Sequence, residues 1–123
     1  MVRIYLAVVG IAYLLLGVWC SIAPAHTSKS VGFDLRPGSG QSEYLVVYGG
    51  LEFAIGLFLV WPIFSASDPS APLRFCLILH GCLVMFRTAS FFLFSGIHTT
   101  TYVLAAVEWT IFLSGVVVWF RQR

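Results

Sequence analysis

Residues 44–64 read YLVVYGGLEFAIGLFLVWPIF, 21 positions of which a single one, Glu52, carries a charge. A bilayer's hydrocarbon core is about 30 Å thick and an α-helix rises about 1.5 Å per residue, so a run of this length and polarity is fit to cross it as a helix. Three more runs share the character: Val2–Ile22, Leu73–Phe94 and Tyr102–Phe120. None alternates polar and apolar positions as a membrane strand does, and four strands cannot close a barrel, which leaves helices as the spanning form. Composition points the same way. The 123 residues are 59% hydrophobic and 10% charged, against about 25% charged in soluble domains, and mean hydropathy is +0.94. The fold class is therefore all-α: one integral membrane four-helix domain over residues 1–123, with spans at about 2–22, 44–64, 73–94 and 102–120.

Turn chemistry marks the breaks. Ala23 to Glu43 carries Pro24, Gly32, Pro37, Gly38 and Gly40 among charged Lys29, Asp34 and Arg36, and is expected to be the one long loop. Ser65–Pro72 reads SASDPSAP, a polar link that Pro69 and Pro72 should keep from continuing as helix. The last link is a few residues around Gly96–Thr100. Short links force antiparallel neighbours, so an up-down-up-down bundle is expected.

Flanking cations suggest an orientation. With the N-terminus cytoplasmic, Arg3, Arg74, Arg121 and Arg123 fall inside, and Lys29 and Arg36 fall outside beside Asp34. Both termini are then cytoplasmic, and the net charge of +2 reflects membrane anchors and no nucleic acid. Arg3 before an apolar run, with Ala23-Pro24-Ala25 behind it, also fits a secretory signal; retention of the segment as the first span is the expectation. Trp19 argues against a lipoprotein site at Cys20. Cys20, Cys76 and Cys82 lack paired spacing, so they are expected to be buried free thiols filling packing gaps, without zinc or redox chemistry.

Three charges lie where water is scarce. Glu52 is eight residues in from Tyr44, Arg87 seven in from Phe94 and Glu108 six in from Tyr102, which sets all three in one layer roughly 9–12 Å below the outer surface. Each costs about 2.5–3.5 kcal/mol on insertion scales, and so marks either a functional site or a structural ion pair. Helical spacing groups Tyr48, Gly49, Glu52 and Gly56 on the second span and Ala105, Glu108, Phe112 and Gly115 on the fourth. On the third it aligns His80, Arg87 and Ser90, and on the first Gly10, Tyr13 and Gly17. These polar, small-residue faces are expected to point inward. Gly49-Gly50-Leu51-Glu52-Phe53 also parallels Ala105-Ala106-Val107-Glu108-Trp109, which suggests two related hairpins with Arg87 between equivalent glutamates.

One arginine against two carboxylates leaves a charge over. One glutamate should pair with Arg87, and the other should be protonated or hydrogen-bonded by Tyr13 or Tyr48. The alternative is a static network that fixes helix register. His80, without a second ligand at metal spacing, is expected to bond a backbone carbonyl; His26 and His98 read as outer loop residues. Trp19, Trp61, Trp119 and Tyr102 fall near predicted boundaries, as interface aromatics do.

Ser42-Glu43, then Tyr48-Gly49-Gly50 and Gly56, preceded by Pro24, resembles a bacterial family of small four-helix membrane proteins known as domain of unknown function 4345; Arg87 and Glu108 fit the same picture. The resemblance covers nearly the whole chain, does not extend to Glu52, and implies a bacterial plasma (inner) membrane without implying an activity. Similarity to DoxX-like proteins exists in architecture alone.

No phosphate loop, nucleophile elbow, HExxH or haem-type histidine cluster is present in the sequence, so no catalytic residue, metal or cofactor is expected. The leading reading is an accessory or structural membrane subunit, whose partner is another protein or a second copy of the chain. The alternatives use the layer of Glu52, Arg87, Glu108, Tyr13 and Tyr48, with His80 and Ser90 secondary. In one, Arg87 anchors an anionic or amphipathic ligand; in the other, a glutamate exchanges protons for a cation, as in small multidrug exporters, although those carry the glutamate on the first helix.

Overall fold

The structure, a computed structural model, describes residues 1–122. Five helices make up the described chain: α1 (Val2–Ile22), α2 (Pro24–Ser30), α3 (Ser39–Phe64), α4 (Ser70–Leu93) and α5 (Thr99–Arg121), with no strand among them. All but α2 are long and apolar enough to cross a membrane by length and composition.

Boundaries differ from the sequence expectation in a consistent direction. α3 starts at Ser39 rather than Tyr44, α4 at Ser70 rather than Leu73, and α5 at Thr99 rather than Tyr102. Hydropathy sees only the apolar length, whereas the helices begin in polar turns ahead of it. Pro72 does not stop the chain as expected. It lies in the first turn of α4, where an amide hydrogen has no intrahelical partner to lose. Just ahead of it, Asp68 accepts bonds from the Ser70 hydroxyl at 2.7 Å and the Ser70 N–H at 3.1 Å, and these hold its carboxyl below the usual carboxylate range.

The long connection is not all loop. Pro24 opens α2, which also holds His26, and the Thr27 hydroxyl turns back to the Ala23 carbonyl at 3.0 Å. Thr27 and Ser28 are buried, so a polar helix packs through its smallest side chains and leaves no apolar period to read. Gly32 and Gly38 then turn the chain at φ of +85° and +79°, a region closed to most side chains.

Packing begins with glycine. A Cβ placed on Gly56 would stand 2.8 Å from both the Gly10 carbonyl oxygen and the Leu14 nitrogen, and one on Gly17 would stand 2.9 Å from the Phe53 nitrogen and 3.0 Å from the Gly49 carbonyl. Rising numbers on α1 meet falling numbers on α3, so the two run antiparallel with their backbones nearly touching. Such closeness is how helices associate in lipid, where apolar side chains gain nothing by leaving hydrocarbon for each other. α4 and α5 pair in the same sense, Gly81 facing Phe112 and Leu77 facing Gly115. Leu6, Leu59, Leu73 and Cys76, each at 0% exposure, join Val9 and Val118 to knit α1, α3, α4 and α5 into one core.

Arg3 fastens one end. Its guanidinium donates to the Pro62 carbonyl and to those of Ala66 and Ser67, at 3.2 and 2.9 Å, where α3 runs out of partners for its last C=O groups. A cation there also meets the negative end of the helix dipole.

Gly56→Leu is expected to cost about 1–3 kcal/mol, the scale of overpacking, read as a lower unfolding midpoint in detergent. Gly50→Ala, where an added Cβ meets nothing within 4 Å, should leave that midpoint unchanged.

Candidate functional site

Arg87 and Glu108 form the clearest polar contact between two spanning helices. The guanidinium Nε donates to Glu108 Oε2 at 2.9 Å and Nη2 to Oε1 at 2.6 Å, a two-pronged arrangement that fits the planar fork of arginine to a carboxylate. α4 and α5 present the two residues to each other because they are antiparallel and share the Gly81–Phe112 register. The pair is largely enclosed, with side chains 27% and 13% exposed. Ser90 stays on its own helix, its hydroxyl donating to the Arg87 carbonyl at 2.7 Å.

Glu52 is left over. It is half-buried, and its Oε2 is enclosed without a hydrogen-bond partner. Its charge and that of Glu108 act on one another, and both act on the Tyr13 hydroxyl, so the carboxylates and tyrosine occupy one neighbourhood. The expectation that Tyr13 or Tyr48 would hydrogen-bond the spare carboxylate is not met at this oxygen. Tyr13 turns instead toward α4, and Tyr48 lies in an aromatic group, stacked on Tyr44 at 4.5 Å between centroids and edge-on to Phe33 at 5.8 Å.

The backbone before Glu52 is unusual. Leu45–Leu51, which contains Tyr48, Gly49 and Gly50, is π-helical, and regular α-helix resumes at Glu52. Segments of this kind are rare and often found at functional sites. The matching Ala105-Ala106-Val107 lies in regular α-helix, so the two similar segments differ in backbone form.

Tyr13 belongs to a second polar set that the sequence did not announce. Its hydroxyl lies 3.3 Å from His80 Nε2. His80 is 1% exposed, and its Nδ1 lies 2.8 Å from the Cys76 carbonyl and 3.5 Å from Cys76 Sγ. A carbonyl can only accept, so Nδ1 carries the hydrogen; in the neutral ring Nε2 then accepts from Tyr13. Cys76 Sγ lies 3.5 Å from the Tyr5 hydroxyl, which donates to the Ile111 carbonyl at 2.8 Å. Tyr5 was not singled out in the sequence, and Cys76 was read only as a thiol filling a packing gap. The four-residue step from Cys76 to His80 was the available sign, since it puts both on one helix face. Cys82 corrects the expectation for the thiols: it is exposed, while Cys20 and Cys76 are buried.

Hollows of about 330 and 400 Å³ lie along α5 at Val103–Ile111 and between α2 and α3 beside Lys29 and Gln41. Glu52, Arg87 and Glu108 line neither.

Arg87→Leu strands the Glu108 carboxylate, and removing one partner of a buried pair costs about 3–5 kcal/mol. Partial exposure sets the expected loss at the lower end of that range, measured as a fall in unfolding midpoint. Arg87→Met with Glu108→Leu should recover most of it, because neither charge is then left alone.

A protein-family model described as a domain of unknown function (DUF4345) matches residues 1–120. No curated protein and no solved structure matches the chain.

Proposed function

Because the chain belongs to the DUF4345 family, whose description carries no activity, we propose from its own geometry that it is a small accessory or structural subunit of a bacterial plasma (inner) membrane. In this reading α1, α3, α4 and α5 form an up-down-up-down bundle with both termini cytoplasmic, and the layer of Glu52, Arg87 and Glu108 fixes helix register inside it. One observation carries the proposal: Arg87 spends two donor nitrogens on Glu108, so its charge is answered within the chain and awaits no ligand. The partner is another membrane protein or a second copy of this chain. Exposed Ile4, Val8, Ile11 and Leu15 along one side of α1 supply an apolar face suited to lipid or to such a neighbour.

A second reading rests on Glu52. An enclosed carboxylate oxygen without a partner is the group in this layer that still has something to bind. Because Arg87 is already engaged, a species bound there is a proton or a cation, and an anionic or amphipathic ligand would have to displace Glu108.

Native mass spectrometry of the protein released mildly from its own membrane separates the readings. A co-released protein or a second copy, retained in Glu52→Gln, supports the subunit; a small bound cation lost in Glu52→Gln supports the site. Orientation has its own test. A membrane-impermeant thiol reagent applied to intact cells should label Lys29→Cys and spare Ser67→Cys, and the reverse pattern would invert the topology.

A further inference from the structure

We propose that the hollow between α2 and α3 seats the head of a zwitterionic membrane phospholipid that carries a primary ammonium on its phosphodiester, with Lys29 and Gln41 holding the phosphate and Asp34 the ammonium. The site goes beyond the subunit reading and is separate from the layer of Glu52, Arg87 and Glu108, none of which lines it.

Small side chains at the mouth of the glycine seam leave the space. α1 ends at Ile22 and the chain turns at once into α2, whose Ala25 and Ser28 line the hollow with little bulk. On the α1 side Gly49 makes room for Ser21, whose hydroxyl folds back to the Gly17 carbonyl at 2.7 Å. What remains is about 400 Å³, within the span of small-molecule sites, about 300–1,000 Å³. Ser28, at 1% exposure, lies on its closed side, whereas Lys29, Asp34, Gln41 and Leu45 are exposed, so the hollow opens outward. Its rim is held. The Gly32 N–H donates to the Lys29 carbonyl at 3.0 Å and the Phe33 N–H to the Ser28 carbonyl at 2.9 Å, and the Phe33 ring stands edge-on to Tyr44 and Tyr48.

Both charges on that rim are unanswered. Among the described residues Lys29 and Asp34 form no ion pair with each other or with any other side chain, and neither side chain makes a hydrogen bond. Gln41 is half engaged: its Oε1 accepts from the Gly38 N–H at 3.3 Å, which leaves two amide hydrogens to give. A phosphodiester is held by a cation and N–H donors, and a primary ammonium by a carboxylate; the rim supplies both sets. Net charge favours a zwitterion over an anion. Across Ala23 to Glu43, Lys29 and Arg36 are balanced by Asp34 and Glu43, so the connection carries no excess of positive charge to draw an anionic head.

Depth decides for a lipid over a soluble molecule with the same head. Leu45, which lines the hollow and is 47% exposed, opens the apolar run of α3, and Ser21, which also lines it, lies in the last turn of α1. Trp19, in the same turn and also exposed, is the kind of aromatic that sits at the level of lipid heads. The hollow therefore straddles the boundary between polar connection and apolar span. A phospholipid of the adjoining leaflet reaches it with its head beside Lys29 and Asp34 and its acyl chains along Leu45 and the run below, a flank from which a soluble phosphodiester gains nothing.

Native mass spectrometry of the full chain in detergent, with palmitoyl-oleoyl phosphatidylethanolamine or the matching phosphatidylcholine added in turn, tests the site. Phosphatidylcholine keeps the phosphate and the positive charge but has no N–H to give Asp34. Wild type should therefore retain phosphatidylethanolamine about five- to tenfold more, the scale of one charge-assisted hydrogen bond for which water competes. Asp34→Ala should bring the two lipids level, Lys29→Gln should weaken both, and Ala25→Phe, which fills the hollow from an exposed position, should lower both and remove the difference. Arg36→Gln takes away a cation of the same connection that does not line the hollow, and should change nothing. Equal retention of the two lipids by wild type overturns the proposal, and so does a preference that survives Ala25→Phe. Glycerophosphoethanolamine, the same head without acyl chains, should fail to displace the lipid at equal concentration; displacement would make the occupant a soluble phosphodiester and overturn the lipid. None of these outcomes depends on Glu52→Gln, so the two readings of the charged layer stand or fall separately.

Discussion

Where Gly10 and Gly17 meet Gly49 and Gly56, α1 and α3 approach so closely that a methyl group would strike backbone atoms, and most other placements in the molecule follow from that contact. In hydrocarbon there is no water to drive apolar side chains together, so close dispersion contact must hold the helices. Once α1 is seated in this register, Tyr13 is carried past the glycine seam toward α4, where it finds His80. Tyr5, two turns earlier on the same helix, reaches Cys76 and the Ile111 carbonyl, so α1 touches α4 and α5 as well as α3.

The other pair of helices is joined differently. α4 and α5 have one glycine contact against an aromatic ring and a charged clasp, Arg87 on Glu108. A bidentate bond between ions is directional in a way that packed glycines are not, and it resists both sliding and rotation. One hairpin is thus fixed by the absence of side chains and the other by two of the largest polar ones. That division puts the polar interior between the hairpins, where α1 faces α4 and α5.

The four long helices were legible in the sequence because each run is long, apolar and bounded by polar turns, and those are the quantities a bilayer selects for. So were the small-residue faces: Gly49 and Gly56 on α3 and Gly10 and Gly17 on α1 share the faces that helical spacing assigned. Arg87 and Glu108 were legible as partners in depth, whereas the choice of Glu108 over Glu52 was not, since depth says nothing of azimuth. α2 escaped because its buried residues are Thr27 and Ser28. Arg3 was read as an interfacial anchor, and its grip on three carbonyls depends on where the link after α3 returns, which no local pattern encodes. Cys76 and Tyr5 look like ordinary core residues until the neighbouring helix is in place.

The π-helical turn over Leu45–Leu51 has a further consequence, for lineage. Its i→i+5 bonds make it geometrically an α-helix with a residue inserted, the flanking turns keeping their own phase. A chain shortened by one position in this segment could return to regular helix while Gly56 and everything after it stayed where it is, with only the aspect of Tyr48 and Gly49 turned. Insertions and deletions are ordinarily forbidden inside a membrane span because they rotate the rest of the helix by about 100° (one residue in 3.6 per turn). Here the span contains a point of slack, and relatives of different length in this turn can share one bundle.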